Sequence, residues 1–281
     1  MVYVIKIGGT AGVPMPTVID DIRALWASGR PMIVVHGGSA EADKLSAELG
    51  MPRRVLKSPD GIESRYTDPQ TLKIITMAFA GLVNPALVSE LALHKIPAVG
   101  LSGIDGATVE AELKPAVKHV EAGRTTIVRD NRTGRIVSIN DTLLRCLLEM
   151  RMLPVISPPA FDLKHGPVNV DADRMAASIA VAIGAERLVF VSNTNGVLKD
   201  INDPESTISR VRFEDLDRLL KSVSGRMKAK IAAVQSALEG GVRSVHIARA
   251  SSSSPIIEAL SGSGTSFEPP LEMGRRWAHA G

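Results

Sequence analysis

The stretch VYVIKIGGT (residues 2–10) carries the reading of the whole chain. Val2, Val4, Ile5 and Ile7 have the apolar character of a buried strand, and Gly8 and Gly9 follow directly. Lys6 sits inside that strand. A buried ammonium without a partner costs several kcal/mol, roughly, so an anion must come from the chain or from a ligand. Glycine after a strand lets backbone N–H groups approach an anion with no Cβ in the way. VVHGG (34–38) repeats the arrangement with Gly37 and Gly38. Neither pair matches G-x-x-x-x-G-K-[ST] or G-x-G-x-x-G, so the P-loop and dinucleotide fingerprints are absent.

Outward from this stretch, apolar runs of strand length alternate with segments of helical period. That predicts an α/β fold, a three-layer αβα sandwich with a mainly parallel central sheet. Strands are expected at 2–7, 31–37, 97–101, 153–157, 187–192 and 242–248, and helices at 16–28, 40–49, 171–184 and 225–241. Two insertions break the alternation. Residues 53–67 read as a hairpin turning at Pro59, Asp60 and Gly61; residues 107–139 read as antiparallel strands turning at DNRTG, between Asn131 and Gly134. SPPAFDLKHGPVN (157–169) is a seam between an N-terminal lobe, 1–167, and a C-terminal lobe, 168–281, of one continuous domain. SSSSP (251–255) reads as a loop into a helix cap, and the pattern lapses after Thr265.

The 281 residues suffice for a substantial core, and 44% apolar with 22% charged residues is ordinary for a globular protein. No wholly apolar run reaches the roughly 18–20 residues that span a membrane. With no export signal at the start and one cysteine, Cys146, a cytoplasmic location is expected. Cys146, in DTLLRCLLEM, reads as a small helical core residue. A net charge of +3 with only 3% aromatic residues argues against nucleic acid as a partner, because few stacking platforms exist. The charge is uneven, however. Within 113–135, Lys114, Lys118, Arg124, Arg129, Arg132 and Arg135 face only Glu121 and Asp130, which fits either a solvated hairpin or a docking face for something acidic.

Two further motifs complete the set. VNVDADRMAAS (168–178) puts Asn169, Asp171 and Asp173 at a helix start, where capping accounts for one acid but hardly for all three polar side chains. SGRMKAKIAA (224–233) opens a helix with Lys228 and Lys230. Lysines there oppose the macrodipole, so they are a solvated basic face or are compensated by a negative ligand or an acid such as Asp173.

In this order, KIGG, VVHGG, RYTD, NVDAD and GRMKAK resemble the amino acid kinase family, and the resemblance runs from about residue 2 to 265. It implies a carbamate kinase-like fold and phosphoryl transfer from ATP. Lys6 and Lys230 would flank the transferring group, with Asp173 holding both lysines. Gly8, Gly9, Gly37 and Gly38 would offer backbone donors, with Gly37 and Gly38 also touching the acceptor. Ser192, Asn193 and Lys228 would lie along the nucleotide, and Mg2+ would travel with ATP rather than sit in a carboxylate cage. A carboxylate acceptor is already ionised, so positioning and electrostatics suffice and no general base is required. His36 is expected to be structural.

GIESRYTDPQ (61–70) resembles the acetylglutamate kinase branch, in which the motif arginine, here Arg65, takes the acceptor α-carboxylate and Asn169 meets its amide-bearing end. KSPDGIESRYTD is most similar to the carrier-dependent kinases of that branch. These phosphorylate 2-aminoadipate or glutamate held by its amino group on a small acidic carrier protein of the LysW type. Arg53, Arg54 and Lys57 would add to the basic docking surface. The resemblance also implies a homodimer without the N-terminal helix of arginine-inhibited hexameric relatives. Ser39 stands where a third glycine is usual, Ser192-Asn193 replaces a more common acidic pair, and Asp171 stands where asparagine is frequent. N-acetylglutamate kinase is the alternative within the branch. A non-catalytic paralogue is disfavoured by the retained charged cluster, and a Rossmann dehydrogenase by the missing fingerprint.

Overall fold

A computed structural model describes residues 1–59, 61–203 and 205–270. Its central feature is an eight-stranded sheet. The strand order is Arg210–Val211, Thr265–Phe267, Ser244–Ile247, Arg187–Val191, Tyr3–Ile7, Met32–His36, Leu153–Ser157 and Ala98–Ser102. All six predicted strands are present and parallel to their neighbours; Thr265–Phe267 runs antiparallel to Ser244–Ile247. The two extra strands at one edge are only two and three residues long, too short to show a periodicity. Strands from before residue 168 fill one half of the sheet and later strands the other, joined where Tyr3–Ile7 pairs with Arg187–Val191.

Helices cover both faces. On one face, Ala172–Ile183 and Gly225–Glu239 bury Met175, Ile179, Ile231, Val234 and Leu238 against Val4, Val35 and Phe190. On the other, Met15–Ala27, Asn84–Leu93 and Pro255–Leu260 bury Val18, Ile22, Leu91 and Ile256 against Ile5, Ile7 and Val189. Core strands buried on both faces explain the near-continuous apolar runs. Ser254 does not cap Pro255–Leu260 through its side chain to the backbone. Buried Asp21 does so, accepting from Ile256 N–H (2.7 Å) and Ile257 N–H (3.3 Å).

Several local expectations change. Strands Val117–Glu121 and Arg124–Val128 turn at Ala122 and Gly123, both with positive φ, and not at DNRTG. Asn131 instead is buried and bonded, as described below. Strand Gly134–Ile139 pairs with Val109–Leu113 in a separate four-stranded sheet. In the hairpin Val55–Lys57/Glu63–Arg65, Ser58 N–H donates to Ile62 O; the expected turn includes Asp60, outside the described residues, as is the tail beyond 270. Cys146 is exposed on helix Thr142–Glu149, whose buried stripe is Leu144 and Leu147. The helical run Pro69–Leu93 is long and apolar enough to cross a membrane by length and composition, despite Lys73 and Glu90. Here Leu72, Ile74, Ile75, Leu87 and Leu91 are buried in the fold.

Candidate active site

Strand alternation decides where Lys6 points. Tyr3, Ile5 and Ile7 face the layer of Met15–Ala27, while Val4 faces that of Ala172–Ile183 and Gly225–Glu239. Lys6 shares the parity of Val4 and reaches the second layer, where it is 7% exposed. Its Nζ lies 2.6 Å from Asp173 Oδ1, and Lys230 Nζ donates to Asp173 Oδ2 at 3.0 Å. Asp173 stands in the first turn of its helix, and buried Lys230 lies 4.9 Å above the Phe190 ring. Burial alone would raise the Asp173 carboxyl, but Lys230 and Lys6 together hold it well below the usual range. Burial pushes Lys230 down, and Asp173 opposes that. Two buried ammoniums share this one carboxylate, so positive charge remains at the cleft wall to meet an anion.

The glycine pairs lie directly against this triad. A Cβ on Gly9 would come within 2.3 Å of Gly38 N and 2.5 Å of Gly37 C, so the two loops touch through their backbones. The four glycines are not equivalent donors. Gly8 N–H is spent on Val191 O (2.7 Å) and Gly37 N–H on Ile7 O (3.1 Å), continuing the sheet ladder. Gly9 and Gly38 N–H make no such bond among the described residues. The expectation of four free donors is thus corrected to two. Ser39 Oγ donates to Gly9 O (2.9 Å), so the serine in place of a third glycine ties the loops together. His36 is structural, as expected: its ring bonds Gly37 O (2.9 Å) and Asn84 Nδ2 (3.0 Å), and burial lowers it to about 4.

A cleft of about 850 Å³ runs from these loops to strand Glu63–Arg65. The starts of three helices border it at Ser39, Ala172 and Arg226, and helix N-termini favour anions. Ser192 and Asn193 line it; Asn193 Nδ2 donates to Ala11 O (3.3 Å), fastening the loop after Gly9. Asn169 lines it and bonds Thr67 Oγ1 (3.2 Å). Lys228 does not contribute to the lining, whereas Arg226, two residues earlier, does. Asp171 caps helix Ala172–Ile183 by accepting from Arg174 N–H (2.9 Å); surrounding protein and the Asp173 charge push its carboxyl up.

Arg65 stands in the cleft wall with its Nη1 buried and unpartnered among the described residues. Its Nη2 is held by Asp43 Oδ1, rather than by Glu63 or Asp68. The RYT segment is docked on the second insertion. Thr67 N–H donates to Asn131 Oδ1 (2.8 Å), Arg132 N–H to Thr67 O (2.6 Å), and the Tyr66 hydroxyl to Asp130. The Arg54 guanidinium lies 4.4 Å from the Tyr66 ring centroid. Asp43 and the buried Asn131 escaped sequence reading, because each acts on a segment distant in the chain.

Two buried lysines on one aspartate, lining a cleft with a guanidinium, make an anion site that carries no P-loop fingerprint. Residues 1–249 match the model of the amino acid kinase family, and the chain belongs to that family. It is 40% identical over 264 residues to the [LysW]-aminoadipate kinase of Thermus thermophilus, covering 93% of this chain and 98% of that protein. It is 35% identical over 270 residues to the acetylglutamate kinase of Methanosarcina mazei, covering 94% and 90%. Carbamate kinase from Giardia lamblia bound to AMP-PNP superposes with a TM-score of 0.67 over 96% of this chain and 98% of that one, and at 13% identity shares the fold alone.

Proposed function

We propose that this chain is an ATP-dependent kinase that phosphorylates the side-chain carboxylate of 2-aminoadipate or glutamate held by its amino group on a small acidic carrier protein. The observation that carries this reading is that Lys6, Asp173 and Lys230 line the same cleft as Arg65, whose buried Nη1 has no partner among the described residues. In it, Arg65 takes the α-carboxylate and Asn169 the amide end, while the side-chain carboxylate reaches the lysine pair. An oxygen of that carboxylate attacks the γ-phosphorus, the bond to the bridging oxygen breaks, and ADP leaves with the negative charge that Lys6 and Lys230 help neutralise. Gly9 and Gly38 N–H are the backbone donors on hand. Residues 1–167 receive the acceptor and residues 168–281 receive ATP. Mg2+ arrives on the phosphates of ATP.

The long similarity to a [LysW]-aminoadipate kinase favours the carrier-bound acceptor over the free acetylated one. Cationic residues on the hairpin side of the cleft, Lys114, Lys118 and Arg135, suit an acidic carrier. A homodimer is part of the reading: exposed Met77, Leu82 and Leu93 along Pro69–Leu93 form an apolar face suited to a second copy, testable by light scattering after gel filtration. We also place the reaction in the cytoplasm. The deciding experiment measures ADP release and hydroxamate-trapped acyl phosphate with carrier-bound 2-aminoadipate, carrier-bound glutamate and free N-acetylglutamate in parallel. Faster turnover of the free substrate would transfer the assignment to acetylglutamate kinase.

A further inference from the structure

Asp43 lies on helix Ser39–Glu48, in none of the motifs that identify the family, yet it meets two of the cleft's arginines. Oδ1 bonds Arg65 Nη2, and Oδ2 lies 3.4 Å from Arg53 Nη1. Both arginines line the cleft, whereas Asp43 does not. The carboxylate therefore works from behind the cleft wall. The two terminal nitrogens of Arg65 are used differently. Nη2 is taken by Asp43, with Ser39 O a further 3.4 Å acceptor, and Nη1 is buried with no partner among the described residues. A guanidinium pinned on one edge can no longer swing its charge toward solvent, and its other edge is presented at a fixed angle.

We infer that Asp43 is the positioning residue of the acceptor site, organising Arg65 and Arg53 into one receptor for a carboxylate. The opposite role was available. An acid beside a substrate-binding arginine can occupy the substrate's place and compete with it. The unpartnered Nη1 argues against competition, because the nitrogen whose hydrogen bonds remain unsatisfied is the one Asp43 does not touch. Arg53 thereby gains a role: it is drawn to the same carboxylate, adding a second positive charge where the α-carboxylate arrives. The same helix begins with Ser39, whose Oγ bonds Gly9 O, so one rigid element sets both the phosphate loop and the acceptor arginine.

This inference rests on reading Arg65 as the acceptor's carboxylate receptor, and the test separates the two. Asp43→Asn, Asp43→Ala and Arg65→Lys are assayed for kcat and KM with the carrier-bound acceptor. Calorimetry with N-acetyl-2-aminoadipate and N-acetylglutamate supplies a binding readout independent of turnover. Losing a charge-assisted hydrogen bond weakens acceptor binding by about tenfold to a hundredfold, so Asp43→Ala should raise acceptor KM and Kd by that factor. Asp43→Asn, which keeps one acceptor oxygen, should fall between Asp43→Ala and the unaltered protein. The ATP KM should stay within about twofold, which a general loosening of the fold would not allow. Tighter acceptor binding in Asp43→Ala would mean competition and overturn the inference, as would equal rises in both KM values. If Arg65→Lys weakens binding and the Asp43 variants do not, the inference alone fails. If Arg65→Lys also leaves acceptor binding intact, or no acceptor binds the unaltered protein, the reading of the site falls and the inference with it.

Discussion

Replacing Asp173 by Asn removes the one carboxylate between two buried ammoniums. In the intact site each lysine lies within 3.0 Å of its own Asp173 oxygen. With those contacts gone, the buried ammoniums of Lys6 and Lys230 repel each other without the carboxylate that held them. Deleting one partner of a buried ion pair typically destabilises a fold by about 3–5 kcal/mol, of which this repulsion is a part. The chain has a cheaper response than unfolding. Lys230 is already pushed down by burial, with Asp173 opposing, so without Asp173 it falls further. Its ammonium then gives up its proton more readily, and the proposed phosphoryl clamp loses one of its two charges.

Opposite trends with pH follow. In Asp173→Asn, kcat should be lower by about 100- to 1,000-fold at neutral pH, and should fall further as pH rises and Lys230 deprotonates. Stability should move the other way. Between the lowered folded value and the unfolded one, the folded chain binds fewer protons than the unfolded chain, so unfolding free energy rises with pH. Coupled ADP release and urea unfolding across the same pH series read both. A variant with kcat within about threefold of the original, and a parallel pH profile, would show that Asp173 does not hold the lysines in their working state.

Gly9→Ala pushes a Cβ into the backbone of Gly37 and Gly38, so kcat/KM for ATP should drop about 100-fold while circular dichroism stays unchanged. Asp171→Asn keeps the helix cap, since both residues cap equally well, and should move Tm by less than about 2 °C. Asp162 accepts from the N–H groups of Leu113, Lys164 and His165 and is held well below the usual carboxylate range, by the Leu113 bond most of all. Asp162→Ala should lower unfolding free energy by about 2–4 kcal/mol at neutral pH. That difference is full above the unfolded value near pH 4 and shrinks as pH falls below it, which urea unfolding at two pH values checks. Turnover of the carrier-bound acceptor should lose about tenfold in kcat/KM between roughly 50 and 300 mM salt while free N-acetylglutamate changes little; equal salt slopes would refute docking on the cationic rim.

What could be read from the sequence divides along a physical line. Lys6, Asp173 and Lys230 were legible because each breaks a local rule: a charge in a buried strand, a surplus acid at a helix start, a lysine against the macrodipole. Arg65 was legible through its motif, but its partner was not. Asp43 lies 22 positions away on a helix of ordinary polar composition, and nothing local marks it. The same holds for Asn131, whose neighbours Asp130, Arg132 and Gly134 look like a turn because polar, glycine-containing stretches usually are turns. Here the amide of Asn131 is spent on Thr67, and the turn falls at Ala122 and Gly123 instead.

The glycine pairs show the limit most sharply. KIGG and VVHGG are alike as sequence, and both announce backbone close to an anion. Which N–H is free depends on sheet parity. Gly8 and Gly37 come first after their strands and still fall in step with the ladder, donating to Val191 and Ile7. Gly9 and Gly38 come second, out of step, and their donors are released just where the two loops touch. A motif therefore locates a phosphate site to within a residue or two, while pairing with the neighbouring strands selects the atoms. The lysine in the first strand obeys the same parity: one position earlier or later it would point into the opposite core layer, away from Asp173.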